Sequence, residues 1–196
     1  MQPQSPEAEA LVFAPAVEGF HRAVAARMTP ELMKAFADHG IQLDKPNAAY
    51  PLVDWEAANQ VAGKLLFPLL EPAERSRQLG RSFIDGFVQT GFGTAALMLA
   101  KLVGPRRTLE RMTRNFRAAT NYLESKATVV SERELTLDMW MLEPFLPAWR
   151  GKLTSFVDYR RGILERTLEL VGAPAPLVDI DSRDAETQRS RYRIRW

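Results

Sequence analysis

The chain has 196 residues, 46% of them hydrophobic and 26% charged, and its 26 Lys+Arg against 24 Asp+Glu leave a formal charge of only +2. This is the balance of an ordinary globular protein, long enough to bury a substantial core and too nearly neutral for a dedicated nucleic-acid binder. With no cysteine, disulfides, thiol catalysis, iron–sulfur clusters and cysteine zinc sites are excluded, as suits a cytoplasmic protein.

Residues 1–10, MQPQSPEAEA, are polar and acidic and read as a flexible leader without the features of a secretory signal; a single α+β domain is expected over 11–196. After the apolar Leu11-Val12-Phe13, Pro15 suits the first turn of a helix reaching about Arg27. Thr29 as N-cap and Pro30 at the first position predict a second helix, buried through Leu32, Met33 and Phe36 and ended by Gly40. Residues 41–51 read as a loop, and Asp54 as the cap of a third helix carrying Trp55, Ala58, Val61, Ala62 and Leu65.

From about Ala73 a long central helix is expected, with Leu79, Phe83, Ile84, Phe87 and Val88 on one face and Arg81, Asp85 and Gln89 opposite. Beyond Gly91 the polar strip disappears. Phe92, Leu97, Met98, Leu99 and Leu102 point in nearly every direction, which predicts enclosure on all sides, and Gly91-Phe92-Gly93 is the point at which the helix would break. The run falls short of the ~20 apolar residues needed to cross a bilayer. Gly80 and Gly91 fall on one line of the helix, where a missing side chain admits a neighbouring backbone. Gly104-Pro105 closes this helix and opens another over 105–118, with Leu109, Met112 and Phe116 on its apolar face.

The period then switches to two. Thr128–Ser131 and Leu135–Leu142 alternate as a hairpin, with Leu135, Leu137, Met139 and Met141 on one side. A further helix follows, capped by Thr154 or Ser155, carrying Phe156, Tyr159, Ile163, Leu164 and Leu168 and stopped by Gly172. Leu177–Asp181 and Arg191–Trp196 make a closing strand pair with Tyr192, Ile194 and Trp196 toward the core. The order predicts an α+β fold, its helical N-terminal two-thirds packed on a small antiparallel sheet made of two C-terminal strand pairs.

No catalytic constellation emerges. The only histidines, His21 and His39, lie far from motif-spaced partners; Glu18 with His21 is too few ligands for zinc, and Asp179, Asp181 and Asp184 lack the glycine and glutamate of a calcium loop. No metal or cofactor site is read. Two candidate regions remain. Phe83, Phe87, Phe92, Leu97, Met98 and the strand residues Met139 and Trp140 either line an apolar pocket or, as such residues more commonly do, fill an ordinary core. Arg106, Arg107, Arg111, Arg114 and Arg117 form an arginine face suited to anions or a partner, which Arg189, Arg191, Arg193 and Arg195 on the last strand would enlarge if adjacent.

The segments FAPAVEGF (13–20), AYPLVDWEAA (49–58), LGRSFIDGFVQTGFG (79–93), GPRRTLERMTRNFRAATNY (104–122) and the terminal YRIRW resemble a myxobacterial paralogous family of unknown function over nearly the whole chain. The order of long helix, second helix, hairpin, GILERTLELVG helix and terminal hairpin is similar to vinyl-reductase-type ligand-binding domains, TRAPP-type tethering subunits and haem nitric-oxide sensors. That resemblance implies binding of small apolar ligands, haem or protein partners. The haem version needs a histidine from the body of the domain, and none follows His39. The resulting expectation is a non-enzymatic sensory or adaptor domain binding an apolar small molecule, a protein partner or a second copy. The alternative is an anion or nucleic-acid binding regulator that uses the arginine helix and the last strand.

Overall fold

A computed structural model describes residues 9–152 and 156–196, with the backbone alone for Thr113, Arg114 and Asn115. The expected leader lies outside the described residues except at its end, where Ala10 is already buried and its carbonyl accepts from the Leu52 amide at 2.7 Å. The proposed caps Thr154 and Ser155 also lie outside them.

Strand β1 (Leu11–Phe13) pairs antiparallel with β2 (Ala49–Pro51), so part of the expected loop is a short ribbon, too brief to show a period. Helix α1 (Ala14–Val24) ends in a 3-10 turn at Ala25–Arg27. Helix α2 (Pro30–Ala37) is capped as expected, the Thr29 hydroxyl accepting from the Leu32 amide at 3.2 Å. Helix α3 (Leu52–Leu66) starts three residues earlier than Asp54 as a cap would place it; Pro51 holds the cap position and Asp54 sits in the first turn.

The expected central helix is two elements. Helix α4 (Pro72–Phe87) and helix α5 (Gly91–Ala119) meet at 97° across a three-residue break. Thr90 makes the new start possible, because its hydroxyl accepts from the Gly93 amide at 3.0 Å, an N-cap inside the apolar run. At the far end Gly104, at φ 77° and ψ 174°, leaves the helical conformation and parts α5 into an apolar and an arginine segment at the expected Gly104-Pro105. Beyond the break the Thr108 hydroxyl donates to the Gly104 carbonyl at 2.8 Å.

The sheet runs in the order β3 (Leu123–Ser131), β4 (Glu134–Met141), β6 (Arg189–Arg195), β5 (Leu177–Asp184), antiparallel throughout, with the two expected pairs joined along β4 and β6. Leu135, Leu137 and Met139 of β4 and Tyr192 and Ile194 of β6 are fully buried on its inner face. Helix α6 (Leu146–Trp149) leads toward α7 (Phe156–Leu170), which packs on that face, and one continuous core cluster runs from the β1–β2 ribbon to the sheet.

Helix α4 is held between α1 and α7. Glycines permit both approaches: a Cβ on Gly86 would stand 2.1 Å from the Gly19 carbonyl oxygen, and one on Gly80 1.9 Å from the Tyr159 carbonyl oxygen. Gly91 has no such role, with nothing within 4 Å of a Cβ placed there. Charge reinforces the α4–α7 contact. The Glu165 carboxylate, 5% exposed, accepts from Arg77 at 2.7 Å, Arg161 at 3.0 Å and Arg81 at 3.4 Å. Breaking a buried pair from one side leaves uncompensated charge, so Glu165→Ala should cost about 3–5 kcal/mol, read as a lower urea midpoint with an unchanged slope.

The same seam predicts acid sensitivity. Burial acts to raise the Glu169 carboxyl, but hydrogen bonds from Arg166 and Arg81 outweigh it and hold the group below the ordinary glutamate range; Glu74 is likewise lowered against burial by Gln78 and Arg77. A carboxyl depressed in the folded state contributes stability that is complete above its unfolded pKa of about 4.3 and is lost as pH falls through the folded value. The melting temperature should therefore drop as pH is lowered below about 4, and Glu169→Gln should flatten that drop.

Candidate functional site

Helices α4 and α7 form the floor, and α5 the roof, of a cavity of about 610 Å³ with predominantly apolar walls. An aromatic run makes one side: Tyr159 lies 6.0 Å from Phe83, Phe83 stacks on Phe87 at 5.8 Å, and Phe87 meets Phe92 edge-on at 5.9 Å between ring centres. The roof is the apolar stretch of α5, contributing Ala96, Leu97, Leu99, Ala100 and Val103. This stretch is not enclosed as its composition suggested. Phe92 is 61%, Met98 65%, Leu99 51% and Leu102 84% exposed, because the 97° turn carries α5 off the body and leaves space beneath it.

Of the expected pocket residues, Phe83, Phe87, Phe92 and Leu97 line this cavity. Met98 does not, since it faces solvent on the other side of α5. Trp140 does not either. It alternates with the buried Met139 and Met141, lies on the outer sheet face and carries the Arg189 guanidinium 5.2 Å over its ring. Met139 belongs to the filled core.

Polar groups in the cavity wall are few and, apart from Arg111 at its edge, come from positions that the sequence pattern did not single out as a site. Tyr122 and Tyr159 present buried phenols; burial pushes both up, far up for Tyr159, and the nearby Arg160 guanidinium only partly offsets this at Tyr122. Arg160, half-buried on α7, touches the phenols of Tyr122 and Tyr192. The Thr167 hydroxyl lies in the same wall, buried and without a hydrogen-bond partner. Only the meeting of α7 with β3 and β6 brings these groups together, so no spacing along the chain could reveal them.

The expected arginine surface is charge-balanced in part on the helix and mostly on the last strand. Arg106 pairs with Glu110 at 3.2 Å, and Arg117 with Glu124. Arg107 and Arg111 are exposed, Arg111 at the cavity edge, while the side chain of Arg114 lies outside the described residues. On β6, Arg191 is held by Asp138 at 2.9 Å, Arg193 by Asp181 at 3.1 Å and Arg195 by Asp179. The stripe is thus a ladder of cross-strand ion pairs rather than an open anion surface. Among the described residues no group of three or more His, Asp or Glu side chains could hold a metal ion.

A family model described as "Protein of unknown function (DUF2378)" matches residues 10–196. The chain belongs to the DUF2378 family. No curated protein matches its sequence. Among solved structures, this DUF2378 chain is similar to proteins of the H-NOX family. One, from work on haem distortion, has 12% identity and a TM-score of 0.66, with 92% of this chain and 93% of that chain covered. An oxygen-binding H-NOX domain related to soluble guanylate cyclases gives 13% and 0.62, covering 92% and 90%. An Fe(II) unliganded H-NOX protein variant from K. algicida gives 10% and 0.61, covering 92% and 95%. At these identities the likeness is one of fold.

The cavity residues do not fit a haem held through its iron. Such iron takes histidine, cysteinate, methionine beside histidine, or tyrosinate. The DUF2378 chain has no cysteine, and its two histidines lie elsewhere, His39 beside Asp54 at 3.8 Å and His21 on α1 outside the cavity wall. The phenols of Tyr122 and Tyr159 are pushed toward the protonated form, leaving Met112 without the histidine that accompanies it in haem sites.

Proposed function

We propose that this chain is a non-enzymatic sensory or adaptor module whose ligand is an apolar small molecule held between α4, α7 and the apolar stretch of α5. The observation that carries this is the cavity of about 610 Å³, of the size and apolar character of small-molecule sites, beneath a roof whose large side chains stay exposed. Few polar groups among many apolar ones suit binding and orientation rather than bond-making. A ligand here would bridge roof and floor, coupling occupancy to the position of α5, which is held between the break at residues 88–90 and the Gly104 kink. The H-NOX-like fold supports a sensory reading while the cavity chemistry points to an organic ligand without iron.

Titration with N-phenyl-1-naphthylamine tests it directly. Saturable fluorescence enhancement at one probe per chain, displaced by hydrophobic molecules co-purifying with protein from its own host, is the expected result. Protein that carries no such molecule in native mass spectrometry and gives no enhancement would sink the reading.

A further inference from the structure

Two cationic residues line the apolar cavity, Arg111 at its edge and Arg160, which also borders a smaller polar pocket with Arg183, Asp184 and Ser190. Arg160 follows the start of α7 by one helical turn, is half-buried, and acts on the phenols of both Tyr122 and Tyr192. Phenols are neutral acceptors here, because burial keeps both protonated. Tyr192 already donates to the Val157 carbonyl at 3.0 Å. Nearby carboxylates are occupied: Asp158 accepts from Arg183 at 2.8 Å, and Asp184 accepts from Thr187 and from the Glu186 amide. Glu56 acts electrostatically on Tyr122. The carboxylates of Asp158 and Asp138 are bound by Arg183 and by Arg189 and Arg191 rather than by Arg160. A guanidinium has five donors in a planar fork, more than two phenol oxygens can accept, and Arg160 is only partly withdrawn from solvent.

Charges withdrawn from water are normally paired, and a planar fork matches a carboxylate with two parallel charge-assisted hydrogen bonds. The buried, unpartnered Thr167 hydroxyl is an independent sign of missing polar contact in the same wall. It lies seven residues further along α7, about 10 Å at ~1.5 Å per residue, so the wall offers an anion anchor and, well separated from it, a neutral hydrogen-bonding point with apolar surface between. Phe83 and Phe87 flank that stretch from α4, and α5 covers it.

We propose that the cavity takes an amphipathic monoanion, an apolar chain or ring body ending in a carboxylate, with the carboxylate on Arg160 and Tyr122 and the body between the α4 phenylalanines and α5. This rests on the cavity being a ligand site and adds the chemical class of the ligand. Arg111, at the cavity edge and exposed, is the competing cation; an anion held there would stay largely in water and would add little preference.

The test is calorimetric titration of the full chain with dodecanoic acid, its methyl ester and dodecanol. The acid should bind at least tenfold more tightly than the ester or alcohol. Arg160→Met should abolish that preference while leaving dodecanol affinity within about twofold, Arg160→Lys should keep part of it, and Arg111→Ala should leave it intact. Equal binding of acid and alcohol by the wild type would overturn the proposal while sparing the cavity reading; absence of binding by all three would remove both. Loss of the preference in Arg111→Ala, or its survival in Arg160→Met, would also overturn it. Should Arg160→Met fail to fold by circular dichroism, the wild-type comparison of acid with ester and the Arg160→Lys variant decide the matter.

Discussion

Gly80→Ala should lower the melting temperature by about 6–12 °C, although alanine is the better helix former by ~1 kcal/mol. The reason is that α4 and α7 cross backbone to backbone. A Cβ at Gly80 would lie 1.9 Å from the Tyr159 carbonyl oxygen and 3.2 Å from the Ile163 nitrogen, and a Cβ at Gly162 would lie 2.0 Å from the Arg77 carbonyl oxygen. Neither obstacle is a side chain that can turn away, so the helices must separate. Separation loosens Phe83 against Tyr159 and lengthens the bonds from Arg77 and Arg81 to Glu165. Overpacking alone costs about 1–3 kcal/mol, and the loosened seam brings the expectation to about 3 kcal/mol. Since whole domains have only about 5–15 kcal/mol of stability, the Gly80→Ala/Gly162→Ala pair should fail to fold cooperatively. Gly91→Ala is the matched control: with nothing within 4 Å it should melt at or slightly above the wild-type temperature. A Gly80→Ala protein that melts with the wild type would mean that the two helices are not in glycine contact.

Ala96→Trp should weaken N-phenyl-1-naphthylamine binding by roughly 60-fold without unfolding the chain. Ala96 lies on the cavity side of α5, and the apolar stretch of that helix contributes no residue to the buried core cluster, so a larger side chain there meets open space. The indole then takes room that the ligand would use. Removing on the order of 100 Å² of ligand contact at ~25 cal/mol per Å² costs about 2.5 kcal/mol, which sets the fold-change. Leu102→Ala is the control on the opposite side; being 84% exposed and outside the lining, it should leave affinity unchanged. If Ala96→Trp bound the probe normally and Leu102→Ala did not, the ligand would sit on the outer face of α5 and the cavity would have no part in it.

The two experiments probe different properties of one arrangement. The glycine crossing fixes where Phe83 and Tyr159 stand, and thereby the floor; the roof is set by the turn at Thr90 and the kink at Gly104. A floor held by backbone contact and a buried ion-pair seam is rigid. The roof has far fewer buried contacts, which is the usual setting for a segment that responds to a ligand.

Much of the local structure was legible along the chain because it depends on neighbours in sequence. Thr29 and Pro30 start α2, Gly104 bends α5, and the alternation of Leu135, Leu137 and Met139 faces β4 inward, all through local geometry. The antiparallel sheet of two hairpins and the α+β class follow from the same periodicities. Composition misled at α5: an all-round apolar helix ordinarily signals enclosure, yet the Thr90 cap turns the chain by 97° and leaves that segment as a half-open roof. The β6 arginines were placed correctly on one face, but only cross-strand register shows that Asp138, Asp179 and Asp181 neutralise most of them.

What the sequence by itself determined was most of the helices, the two C-terminal strand pairs, the inward face of β4 and β6 and the exclusion of thiol chemistry, since each follows from residue type and short-range spacing. The tertiary structure alone decided that Phe83, Phe87 and Phe92 border empty space rather than filled core. It alone decided that Met98 and Trp140 stand outside, and that Tyr122, Arg160 and Thr167 share one wall. A cavity is the volume that packing leaves over, and packing is fixed by contacts between residues tens of positions apart, such as Gly80 with Tyr159 and Tyr122 with Arg160.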